Sequence, residues 1–143
     1  MLYLDTSALV KIIRPEPETA DLRAWLDAQH EQLLATSALA EVELPRALRR
    51  IGESERLPEV AELLADLLII EIDEQVRSTA AGLPEPLLRS LDAIHIASAY
   101  QLQPDLAAIV TYDTRMAAAV DPAIPVASPG AAEPVATARP ADG

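Results

Sequence analysis

Residues 2 to 13 constrain this chain more tightly than any other stretch. Leu2, Tyr3 and Leu4 form an apolar run too short for a helix, and it stops abruptly at Asp5. Such a run reads as a strand buried on both faces. Thr6 or Ser7 then suits the N-cap of a helix that continues to Ile13. A buried strand running straight into a helix demands a layered α/β arrangement. Asp5 falls at the carboxyl end of its strand, where open α/β sheets hold their ligands.

The rest of the chain repeats this alternation. Short apolar runs at 33–36, 67–72, 107–111 and 124–127 predict four more strands. Helical spacing predicts helices at 18–29, from Ser37 to just before Gly52, and at 55–66, 73–81, 90–102 and 113–120. Gly82-Leu83-Pro84-Glu85-Pro86 punctuates the chain between two of these helices. Strands alternating with helices predict a mostly parallel sheet of four to five strands with helices on both faces. At 143 residues the chain suits one domain, taken here as residues 1–130. Residues 131–143 are rich in Ala and Pro without periodicity and read as a disordered tail.

Composition removes several function classes. There is no cysteine, hence no thiolate metal site and no disulfide, which fits a reducing, cytoplasmic location. No apolar stretch approaches the length of a membrane span. The net charge of −12 opposes promiscuous phosphate binding and favours a basic protein partner. Any chemistry on nucleic acid therefore needs metal ions and a local basic patch.

Four carboxylates meet the first of those needs. Asp5 and Asp113 directly follow strands, while Glu41 and Asp92 lie in the first turns of helices after Ser37 and Ser90. Parallel strands bring all four positions to one edge of the sheet. Two unit charges about 4 Å apart repel by roughly 4 kcal/mol at an effective dielectric of 20. A helix N-terminus offsets only about 1 kcal/mol of that. Clustered carboxylates therefore take up protons or bind cations, and an all-oxygen set suits Mg²⁺ or Mn²⁺. Such a site suits phosphodiester hydrolysis. The bland alternative makes Glu41 and Asp92 ordinary first-turn acids. A phosphotransfer protein is a poor rival, because Lys11 is the only lysine and Ser7 stands where a second Asp would be needed.

With these acids stand Leu4-Asp5-Thr6-Ser7-Ala8-Leu9-Val10-Lys11, Ser37-Ala38-Leu39-Ala40-Glu41-Val42-Glu43, Leu91-Asp92-Ala93-Ile94-His95-Ile96-Ala97-Ser98-Ala99 and Val110-Thr111-Tyr112-Asp113. In this order and spacing the chain resembles a PIN-domain ribonuclease of the VapC toxin type. The resemblance implies a PIN-like three-layer α/β/α sandwich. It also implies a Mg²⁺-dependent (or Mn²⁺-dependent) endoribonuclease toxin, with Asp5, Glu41, Asp92 and Asp113 as metal ligands and catalytic residues. Thr6 and Thr111 would support the site. It further implies a homodimer and inhibition by a cognate VapB-like antitoxin. A PIN-like module that binds RNA or protein without cutting is the alternative.

Arg46, Arg49, Arg50 and Arg89 are candidate contacts for RNA or antitoxin, although a solvated helix face would look the same. His95 is read as a hydrogen-bonded packing residue rather than a ligand. Pro45 cannot donate to the carbonyl of Glu41, so a bend in that helix is expected.

Overall fold

A computed structural model describes residues 1–132. The proposed tail lies almost wholly outside them. The elements are β1 (Leu2–Leu4), α1 (Thr6–Ile13), α2 (Thr19–Ala28), β2 (Leu34–Ser37), α3 (Ala40–Arg50), α4 (Leu57–Ala65), β3 (Leu68–Ile70), α5 (Glu74–Ala81), α6 (Ser90–Tyr100), β4 (Ala108–Val110), α7 (Thr114–Ala119) and β5 (Val126–Ala127). A 3-10 turn, Ser54–Arg56, leads into α4.

All four strand pairings are parallel, in the order β3-β2-β1-β4-β5. The first strand is therefore the central one. Successive connections from β1 run outward to β2 and β3, and the chain then returns to place β4 on the other side of β1. That reversal opens a crevice beyond the ends of β1 and β4. Leu4 lies in register with Val110, so the next residues, Asp5 and Thr111, leave the sheet side by side.

Alternation along the strands divides the core between the faces. Leu2, Leu4, Ala108 and Val110 point to one face, where they pack with Leu9, Leu22, Leu44 and Leu48 from the first three helices. Tyr3, Ala35 and Ile109 point to the other, against Ile96, Ala99, Met116 and Val120. Full burial of a Leu side chain contributes about 2 kcal/mol. Leu44 and Leu48, both fully buried, thus anchor α3 to its sheet face.

Two helix starts differ from the sequence expectation. Asp5 itself, not Thr6 or Ser7, caps α1, its Oδ1 accepting from the Ala8 N–H at 3.1 Å. Downstream, Ser37 belongs to β2, and α3 begins only at Ala40. Pro45 sits inside α3, which continues through it to Arg50.

Candidate active site at the carboxyl edge of the sheet

Asp5 is the innermost of the acids, only 4% exposed. Ser7 Oγ donates to its Oδ1 and Thr111 Oγ1 to its Oδ2, each at 2.6 Å. Burial raises the Asp5 pKa above the ordinary aspartate value, while the bonds from Ser7 and Thr111 oppose that rise. The carboxylate is thus held in place by donors from the first turn of α1 and from the loop after β4.

Those donors also tie the two segments together. Ser7 Oγ accepts from the Tyr112 N–H at 2.9 Å, and Thr111 Oγ1 accepts from the Asp113 N–H at 3.1 Å. Asp113 in turn caps α7, accepting from the backbone of Arg115 and Met116. Sequence reading marked Thr111 but passed over Ser7. The signal was the hydroxyl two residues after a strand-end Asp, which reads equally well as a helix cap.

Asp92 and Asp113 form the outer rim. Arg89 lies 3.3 Å from Asp92 and 3.7 Å from Asp113, its side chain 68% exposed. Burial raises the Asp92 pKa, and repulsion from Asp113 adds to it, against partial relief from Arg89. The Arg89 guanidinium therefore lies against two carboxylates that repel one another.

Glu41 is exposed and lines an open groove between α3 and α4, with Pro45, Arg49, Val60 and Leu64. Glu43, two residues on, instead reaches His95 and Thr6, the residue next to Asp5. Glu43 Oε1 accepts from Thr6 Oγ1 at 2.8 Å and lies 2.6 Å from His95 Nε2. Burial by itself would raise the Glu43 pKa, but the His95 bond and charge, with the Thr6 bond, hold it below the ordinary value.

Helix geometry explains the exchange. Ala40, Leu44 and Leu48 form the buried stripe of α3. Residues two apart on a helix point about 200° away from each other, so Glu41 and Glu43 leave that stripe on opposite flanks. Thr6, expected to support the site, donates to Glu43. His95 is 3% exposed and bonded at both ring nitrogens, Nδ1 lying 2.6 Å from the Tyr3 hydroxyl. That is the hydrogen-bonded role expected of it.

Of the candidate arginines, Arg46 and Arg50 share the Glu43 flank of α3 and Arg49 the Glu41 flank. All three are exposed, and none forms an ion pair among the described residues. Among the described residues no three acidic or histidine side chains are grouped closely enough to hold a metal ion. The carboxylates sit in two pairs of contacts: Glu43 with His95, and Asp92 with Asp113 through Arg89, flanking the buried Asp5.

Several known proteins are similar to this chain. The PIN domain family matches residues 2–121. Ribonuclease VapC35 of Mycobacterium tuberculosis is 51% identical over 136 residues, covering 92% of this chain and 99% of that protein. Ribonuclease VapC47 of the same organism is 44% identical over 134 residues, covering 92% and 98%. Among solved structures, Mycobacterium tuberculosis VapC20, described as a sarcin-ricin loop cleaving toxin, superposes with a TM-score of 0.68 at 15% identity, covering 83% of this chain and 95% of that one. A toxin–antitoxin complex from Klebsiella pneumoniae gives 0.67 at 21% identity, covering 90% and 98%. These last two share the fold. With the PIN domain family matching residues 2–121 and a VapC ribonuclease 51% identical along nearly its whole length, the chain belongs to the PIN domain family, among the VapC ribonucleases.

Proposed function

We propose that this protein is a metal-dependent endoribonuclease toxin of the VapC type, with Asp5, Glu43, Asp92 and Asp113 as its acidic centre. The observation that carries the reading is the buried Asp5 carboxylate, gripped by Ser7 and Thr111 at the crevice between β1 and β4. Among the described residues Asp5 forms no ion pair, and its two oxygens are fixed by neutral donors.

The donor chemistry fits a hard divalent cation. All four side chains offer oxygen; burial raises the Asp5 pKa, and burial with repulsion from Asp113 raises that of Asp92. Asp5, Glu43, Asp92 and Asp113 are the residues that would hold Mg²⁺ or Mn²⁺. When bound, such an ion supplies Lewis-acid polarisation of a phosphoryl oxygen and activation of the attacking water. The chain itself contributes orientation. Ser7 and Thr111 hold Asp5, while Thr6 and His95 hold Glu43. Arg89, freed from the two aspartates, is positioned to meet an RNA phosphate. Arg46 and Arg50, on the Glu43 flank of α3, extend a positive edge along an otherwise acidic protein.

The same family reading supplies partners. Relatives are found as toxin–antitoxin assemblies, so a VapB-like antitoxin, a homodimer and a cytoplasmic site of action are proposed for this chain too. No helix among the described residues is long and apolar enough to cross a membrane.

Incubation of purified protein with structured RNAs, with and without EDTA, tests the activity. Cleavage in Mg²⁺ or Mn²⁺ that stops on chelation, and is absent from Asp5→Asn, is expected. RNA bound tightly but left intact under all metal conditions would favour a binding module instead.

A further inference from the structure

Glu43 is braced from behind by a buried pair whose arrangement is more specific than packing requires. His95, on α6, places Nε2 2.6 Å from Glu43 Oε1 and Nδ1 2.6 Å from the Tyr3 hydroxyl. Tyr3, in the central strand, is fully buried and meets the imidazole edge-on, with ring centroids 6.0 Å apart at 71°. Thr6 Oγ1 reaches the same Glu43 oxygen at 2.8 Å. Both bonds to Glu43 thus fall on Oε1, and among the described residues no donor bonds Oε2.

The proton inventory of the chain is ordered. A Glu43 carboxylate can only accept, so Nε2 carries a proton toward it. Burial and the nearby Asp5 charge keep the Tyr3 phenol protonated. The Tyr3 hydroxyl, 2.6 Å from Nδ1, holds the opposite edge of the ring. The ring cannot turn over without losing both bonds. With both nitrogens committed, His95 is not itself free to ligate a cation.

We infer that His95, locked by Tyr3, is a positioning residue that holds Glu43 in one rotamer, with Oε1 occupied and Oε2 left for the catalytic cation. This rests on the reading of Glu43 as a cation ligand. A histidine oriented by one partner and orienting a carboxylate in turn is an outer-shell device, and loss of such a partner typically costs about 10–100-fold in metal affinity or activity.

The test uses the full-length protein and Mn²⁺ as probe, with affinity read by calorimetry and cleavage read as kcat and KM. His95→Leu should weaken Mn²⁺ binding by about 10–100-fold and lower kcat without raising KM for RNA. His95→Gln, whose amide N–H can reach Glu43, should recover most of the loss. Tyr3→Phe keeps the core volume and frees the ring. It should weaken Mn²⁺ binding several-fold and shift the Nδ1 resonance of His95 in imidazole nitrogen NMR. If His95→Leu fails to fold, Tyr3→Phe carries the test. Folded variants that bind Mn²⁺ like the parent overturn the inference. Glu43→Gln separates the two levels: unchanged Mn²⁺ affinity there overturns the Glu43 reading itself. A loss there, with Tyr3→Phe and His95→Gln both unaffected, overturns only the positioning role.

Discussion

The inner and outer halves of the acidic centre are built by different means. Asp5 is buried and bonded by two hydroxyls and a backbone N–H, all from fixed turns. Asp92 and Asp113 sit at the rim, and their cationic neighbour, Arg89, is a long and largely exposed side chain. The inner half is organised before any ligand arrives, because Asp5 also caps α1 and its donors join the start of α1 to the segment after β4. The outer half is organised by charge, which can be redistributed when a cation or a phosphate enters. Preorganisation on one side and exchangeable charge on the other is a division suited to holding a metal while admitting a polyanion.

The largest effect that can break this comparison concerns the identity of the fourth acid. Glu43→Gln should lower RNA cleavage by three orders of magnitude or more, about 4 kcal/mol of transition-state stabilisation. Glu41→Gln, on the opposite flank of α3, should change it by less than about twofold, within the spread of surface substitutions. Steady-state cleavage of one RNA by both variants decides it. Loss of activity in Glu41→Gln with Glu43→Gln intact would return the site to the arrangement expected from sequence.

A smaller effect probes the inner wall. Thr111 is fully buried, and its hydroxyl links the halves, donating to Asp5 and accepting from the Asp113 N–H. Thr111→Val keeps the shape and removes both bonds. Leaving a buried donor and acceptor unpaired costs about 1–3 kcal/mol. For a domain of this size the melting temperature should fall by roughly 3–9 °C, with cleavage down about 10–100-fold. Arg89→Ala at the rim should do the reverse. Melting temperature should barely move, because an exposed ion pair contributes about 0–1 kcal/mol, while KM for RNA rises several-fold and its salt dependence weakens. Equal thermal effects from the two variants would erase the distinction between the halves.

Much of this arrangement was legible before any coordinates. Strand-end acids are readable because a buried strand stops abruptly, as Leu2-Tyr3-Leu4 does at Asp5, and parallel order brings such ends together. The architecture and the strand positions follow from that alternation. The fourth acid was not legible, for a geometric reason. In Ser37-Ala38-Leu39-Ala40-Glu41-Val42-Glu43 the choice depends on where the helix starts and which flank of its stripe faces the crevice. Ser37 reads as a cap, yet β2 runs one residue further and α3 starts at Ala40. The buried stripe of Ala40, Leu44 and Leu48 identifies the inward face but is symmetric about its two flanks. The contact with Thr6, at the start of α1, is what favours the Glu43 flank in the proposed site. Ser7 was missed for a related reason, since a hydroxyl after Asp5 serves equally as cap or as second-layer donor.

The smallest effect is a pH dependence, and its sign separates the acids. The Asp5 and Asp92 pKa values are raised in the folded protein, so each is harder to ionise there than in the unfolded chain. Such a group favours the fold below the unfolded pKa and loses that contribution as pH rises through the folded one. Glu43 is shifted the other way; its contribution is present above the ordinary glutamate value and is lost as pH falls through its lowered pKa. Asp92→Asn removes one raised group and its repulsion from Asp113. Without divalent ions, the variant should match the parent near pH 4 and become more stable by a few degrees as pH rises toward about 7. Excess Mg²⁺ should narrow or reverse that gap, because it stabilises a parent centre with all its carboxylates more than one lacking Asp92. Thermal melts of both proteins across this pH range, with EDTA and with Mg²⁺, provide the check. A constant difference at all pH values would mean that Arg89 already neutralises the rim, leaving the two halves electrostatically alike.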